Sequence, residues 1–189
     1  MKSCNLMSAG RTAIGDRNIF LIGFMGAGKT TIGRVLAQKL SRTFVDTDAL
    51  IEEKAGKSIP EIFTERGEGY FRDLESEVIE AVAASQNYVV ALGGGTVLRD
   101  ANWQKIRRSG ATVYLKWKLP TLLPRIVNDR NRPLLRVGSG VDSNLEKIER
   151  LFLQRSPLYE RAEIVLNCQN NLEPAIVADK IVERLLQKT

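Results

Sequence analysis

Histidine is absent from all 189 residues. With it go the commonest general base near neutral pH, the commonest zinc ligand and every Ser-His-Asp or Cys-His mechanism. Proton transfer must fall to a carboxylate, a lysine, a tyrosine or a cysteine. Cysteine is itself scarce: Cys4 and Cys168 lie at opposite ends of the chain. That excludes a disulfide framework and a Cys-x-x-Cys metal site, and it fits a reducing cytoplasm. No apolar run approaches the roughly 18 residues of a membrane span, and the opening MKSCNLMSAGRTAIGDRN lacks the apolar block of a signal peptide. Internal repeats and low-complexity tracts are missing too. Residues 1–17 are basic, hold no acid before Asp16 and read as a disordered extension, with a short organellar presequence as the alternative. Residues 18–189 read as a single domain.

What is present is the composition of a globular domain, 43% apolar and 26% charged, with 28 Lys and Arg against 22 Asp and Glu. A net charge of +6 admits nucleic acid, an acidic surface or small polyanions as partners, so the distribution of charge must decide. Short apolar runs alternate with helical stretches, the pattern of an α/β fold with a parallel sheet wrapped by helices. Five runs qualify as strands, at 18–23, 43–46, 88–92, 111–117 and 163–167. Between them TTIGRVLAQKL sets Ile32, Val35, Leu36 and Leu40 on one helical face, and EGYFRDLESEVIEAVAAS reads as a longer crossover helix. Capping boxes in SIPE at 58–61 and SNLE at 143–146 mark two more helix starts, and EPAIVADKIVERLLQK closes the chain as an amphipathic helix. Residues 128–143 have neither period and read as a long mobile loop.

The most informative stretch is GFMGAGKTT. Gly23, Gly28, Lys29 and Thr30 satisfy the Walker A spacing, with an apolar strand before it and a helix after. Glycines let successive N–H groups turn inward on phosphate oxygens while the helix N-terminus adds partial positive charge. Gly26, Ala27, Gly28, Lys29, Thr30 and Thr31 are therefore the expected nucleotide cradle. Lys29 is placed at the terminal phosphates and Thr30 on Mg²⁺. No Asn-Lys-x-Asp guanine-reading run is present and the chain is too short for a two-lobed helicase, which favours a small-molecule kinase. The second strand ends in DTD, where Asp46 and Asp48 would project to the same side if the strand continued. One could hold the hydrated metal and the other deprotonate an acceptor hydroxyl; solvated turn acids are the alternative.

Taken in order, GFMGAGKTTIGR, DTD, IFTERGEGYFRDLE, ALGGG, NRPLL and RSPLYERA resemble the shikimate kinase family over about residues 18–187. The resemblance implies a three-layer P-loop fold of the nucleoside-monophosphate-kinase type, with a five-stranded parallel sheet, flanking helices and a lid at about 128–143. It implies transfer of the ATP γ-phosphoryl group to the 3-hydroxyl of shikimate, a step toward chorismate and the aromatic amino acids, with Mg²⁺ as cofactor. By position, Asp48 becomes the base, and Arg72 and Arg155 the forks for the acid's carboxylate. A guanidinium suits that task because it bonds a carboxylate bidentately. Glu75 then holds Arg72, Phe63 and Phe71 wall the acid's pocket, and Gly93, Gly94 and Gly95 approach its hydroxyls. Glu68 and Glu75 are also placed to pair Arg72 on an ordinary solvated helix face. Arg132 takes the position of the lid arginine that closes on the transferring phosphate. Arg125 and Pro174 correspond to the two faces of the adenine site. Asp46 is left to hold the metal through water. Trp103 and Trp117, the latter in the atypical KWKLP, are read as structural.

Two other readings stand beside this one. A kinase for another small hydroxy acid, such as gluconate, would share the Walker A motif and the size, but it does not call for Arg72, the triple glycine and Arg155 together. From another class come polymer binding, which would account for +6, and a silent nucleotide sensor; yet no aromatic-plus-basic nucleic-acid motif is present, and Asp48 and the lid arginine are retained. The expected protein is a cytoplasmic monomer whose partners are ATP and shikimate, not nucleic acid or membrane.

Overall fold

The structure is a computed structural model, and it describes residues 14–127, 141–169 and 173–188. Its strands are β1 (Asn18–Ile22), β2 (Thr43–Asp46), β3 (Tyr88–Ala91), β4 (Gly110–Lys116) and β5 (Ile164–Asn167), each within a residue or so of the run that the apolar pattern marks. They pair only in parallel, in the order β2-β3-β1-β4-β5. A strand covered by helices on both faces needs no polar alternation, and β1 is buried at every position. Its Ile19, Phe20 and Leu21 are fully buried, each worth about 1.5–3 kcal/mol against exposure.

Among the described residues seven helices flank the sheet: α1 (Lys29–Leu40), α2 (Thr47–Ala55), α3 (Ile59–Ala83), α4 (Asp100–Ser109), α5 (Leu119–Val127), α6 (Val141–Tyr159) and α7 (Pro174–Leu186). In α1 the predicted face is the buried one, through Ile32, Leu36 and Leu40, with Val35 half-buried. The SIPE box forms as expected, Ser58 and Glu61 reciprocally capping α3. The two helical runs read at 58 and 68 join there as one rod, kinked at Gly67, where φ is 77° and ψ 174°.

Three expectations are corrected. The DTD segment does not extend β2: Asp46 is the N-cap of α2, and its side chain accepts from the Asp48 N–H at 3.1 Å. An aspartate at a strand end finds that capping bond at once, so the chain coils instead of continuing. SNLE does not open its helix either, because α6 already runs from Val141, and the loop read at 128–143 therefore ends earlier. Residues 128–140 lie outside the described residues. Finally, Ile14–Arg17, assigned to the extension, belong to the packed body. Ile14 is buried, and Arg42 donates to the carbonyls of Gly15 and Arg17. The start of β1 is held in turn by the buried Asn18 side chain, which donates to the Val82 and Ser85 carbonyls and accepts from the Tyr88 N–H.

Candidate active site

In a parallel sheet of this kind ligands bind beyond the carboxyl ends of the strands, near the point where the strand order reverses. Here the segments after β1, β2 and β3 converge there. They are the Walker A loop, the Asp46–Asp48 cap and the triple glycine. They line a cleft of about 560 Å³ that also includes Trp117, Arg125 and Pro174.

The Walker A loop is shaped by its glycines. Gly28 caps α1 at φ 83°, a left-handed conformation that a side chain would strain. Lys29 donates to the Gly23 and Phe24 carbonyls at 2.9 and 3.2 Å, so its ammonium rests inside the loop. Thr30 Oγ1 donates to Asp46 Oδ2 at 2.7 Å, joining the two oxygens expected at the metal. Hydroxyl, carboxylate and phosphate oxygens are a donor set suited to Mg²⁺, which keeps several waters and needs no protein cage. Thr31 is exposed at the cleft rim. Phe24 packs edge-on against Phe152 of α6, with ring centroids 5.3 Å apart.

The triple glycine is where the predicted acid-binding groups meet. A methyl group at Gly93 would lie 2.5 Å from Asp48 Oδ1 and 3.1 Å from Glu75 Oε1. At Gly94 it would stand 3.5 Å from Arg155 Nη1, and at Gly95 2.4 Å from Arg72 Nη1. Separations under 3 Å are overlaps, so no larger residue fits at 93 or 95 with these neighbours in place. The Gly93 N–H is itself fixed by the buried Thr47 hydroxyl at 2.9 Å.

Arg72 is not on a solvated face. Its side chain is 12% exposed and bonds Glu75 at 2.9 Å and Glu68 at 3.0 Å. Burial opposes its charge, but the two carboxylates outweigh that and push its pKa up. Glu75 is 1% exposed, and its second oxygen accepts from Thr96 Oγ1 at 2.6 Å. Arg72 also lies over Phe71, whose ring pairs with Phe63 at 4.8 Å. Phe71 is core and Phe63 half-buried. Arg155 is buried at 6% exposure beside Tyr159, which donates to the Gly94 carbonyl at 2.5 Å.

Arg125 and Pro174 both line the cleft, as the adenine reading requires. Arg132 lies outside the described residues. Three residues not singled out as site groups also bear on it: Thr96 through Glu75, Tyr159 through Gly94, and Trp117 through the Ala27 carbonyl at 3.1 Å. Thr96 directly follows GGG and Tyr159 ends RSPLY, so position gave a signal for both. For Trp117 only the atypical KWKLP hinted at it.

Comparison with known proteins places this geometry. The model of a family described as shikimate kinase matches residues 25–186. The shikimate kinases of Synechococcus elongatus and Dechloromonas aromatica are 41% and 45% identical to the chain. Each alignment covers 91% of it, and 88% and 90% of those proteins. A solved shikimate kinase from Acinetobacter baumannii, in complex with shikimate, is 36% identical, with a TM-score of 0.86 over 95% of this chain and 98% of that one. With a family match across most of its length, relatives above 40% identity and the same fold in a solved relative, this chain belongs to the shikimate kinase family.

Proposed function

We propose that the chain moves the γ-phosphoryl group of ATP to the 3-hydroxyl of shikimate, using the groups gathered around Gly93–Gly95. That platform is the observation that carries the reading: it sets one carboxylate, Asp48, beside two guanidinium groups, Arg72 and Arg155. A ring acid with hydroxyls needs this combination.

Arg72 and Arg155 hold the acceptor's carboxylate, and the glycine backbone receives its hydroxyls. Asp48 orients the reacting hydroxyl and takes its proton as the new O–P bond forms and the bridge to ADP breaks. Lys29 exchanges its loop carbonyls for phosphate oxygens, and Arg132 closes on the transferring group as charge spreads over it. Phe63 and Phe71 limit the pocket behind Arg72. Arg125 and Pro174 take the two faces of the base, and Gly26, Ala27, Gly28 and Thr31 border the phosphates. Thr30, with Asp46 behind it through water, would hold Mg²⁺, which would supply positive charge to the phosphates. We place the enzyme in the cytoplasm as a monomer with one catalytic domain, taking neither nucleic acid nor membrane as a partner.

The test is turnover of purified protein with Mg·ATP, followed as ADP release with shikimate or gluconate as acceptor. Shikimate-dependent release with little on gluconate is expected. No release with shikimate, or preference for gluconate, would overturn the substrate assignment.

A further inference from the structure

The chain has two buried indoles, and they differ in one respect. Trp103 is fully buried with Nε1 lacking a partner among the described residues, whereas Trp117 Nε1 donates to the Ala27 carbonyl of the Walker A loop at 3.1 Å. The Ala27–Gly28 peptide is a rigid plane, so holding its carbonyl also sets the Gly28 N–H, one of the donors a phosphate meets. The Trp117 ring does a second thing: the Arg125 guanidinium lies over it, 4.4 Å from the ring centroid. Arg125 in turn approaches the Gly26 carbonyl at 3.4 Å.

We infer that Trp117 is a positioning residue of the ATP site, acting through a loop contact at Ala27 and a stacking contact under Arg125. The stacking contact rests on the reading of Arg125 as the residue that meets adenine. An exposed arginine carries many rotamers, and parking one of its faces on an indole leaves the other aligned for a base before any ligand arrives. Base, guanidinium and indole would then form one stack closed by Pro174. The loop contact does not depend on that reading.

The experiment is calorimetric titration of the full chain with ADP, alongside steady-state constants for both substrates. Trp117→Phe keeps a ring under Arg125 but loses the donor, and should weaken ADP about threefold. Trp117→Leu loses both and should weaken it about tenfold. In both, the KM for shikimate stays within about twofold, and Trp103→Phe leaves ADP affinity at the parent value. In an Arg125→Ala background, Trp117→Leu should cost only the threefold of the loop contact. Parent-like ADP affinity in Trp117→Leu would overturn the proposal. So would ADP and shikimate weakening together in step with a loss of Tm, the mark of a merely structural indole. If Arg125→Ala alone binds ADP like the parent, the adenine reading of Arg125 and the stacking contact fall together, and Trp117→Phe then decides the loop contact by itself.

Discussion

In the proposed reaction Asp48 carries the heaviest chemical load, since without histidine the acceptor's proton has few places to go. Asp48→Asn keeps the size and removes the basicity. Its kcat should fall by about a hundredfold or more, with ADP affinity unchanged in calorimetry. Turnover near the parent rate would remove Asp48 from the base position. Thr96 is subtler. Its hydroxyl holds the buried Glu75, which holds Arg72, so Thr96→Val should raise the KM for shikimate about fivefold, or about 1 kcal/mol. The KM for ATP should not move, and Thr96→Ser should restore the parent value. At this scale, residues whose chemistry is bound to a motif were legible: the Walker A loop, Asp48, Arg72, Glu75 and Arg155. The Trp117 contact was not, because a donor reaching a backbone carbonyl 90 positions away leaves no local pattern; Tyr159 stands in the RSPLY motif, but nothing local marks its bond to Gly94, 65 positions away.

At the scale of elements, the five strands were legible because burial on both faces makes continuous apolar runs, and α1 because its apolar face repeats. α2, α4 and α5 were not read as helices. Thr47–Ala55 has a weak apolar face, with only Thr47 and Ile51 buried, and α5 contains Pro124 yet forms because Leu122 and Ile126 bury themselves. The α3 kink offers a direct measurement. Gly67 has φ 77° and ψ 174°, a region open essentially to glycine, and nothing within 4 Å of an added methyl, so Gly67→Ala suffers backbone strain alone and should lose about 1–3 kcal/mol in urea unfolding. Gly69, two residues on, is helical with equally open surroundings, and Gly69→Ala should gain about 0.5 kcal/mol. Equal effects at both sites would mean that the kink is not set by Gly67.

For the molecule as a whole, the core carries a liability at high pH. Burial and the nearby Glu160 push the Tyr114 phenol up to about 12, burial pushes the Cys168 thiol up to about 11, and Tyr159 is raised further by burial. The unfolded chain would release these protons from about pH 8.5 for the thiol and about pH 10 for the phenols. Above those values it binds fewer protons than the native state, so stability is full below them and falls as pH rises. The urea midpoint should decline from pH 9 to 11.5, and Tyr114→Phe should flatten the part above pH 10. A slope unchanged by Tyr114→Phe would assign the decline to other groups.

The strand ends bring segments from distant parts of the chain to one floor, and the triple glycine lies at its centre. A competitive inhibitor that spends its hydrogen bonds on that backbone would rest on a surface with no side chain to trade away. Substitution at Gly93 or Gly95 would dislodge Asp48 or Arg72 along with the drug, so escape at those positions should carry a loss of turnover.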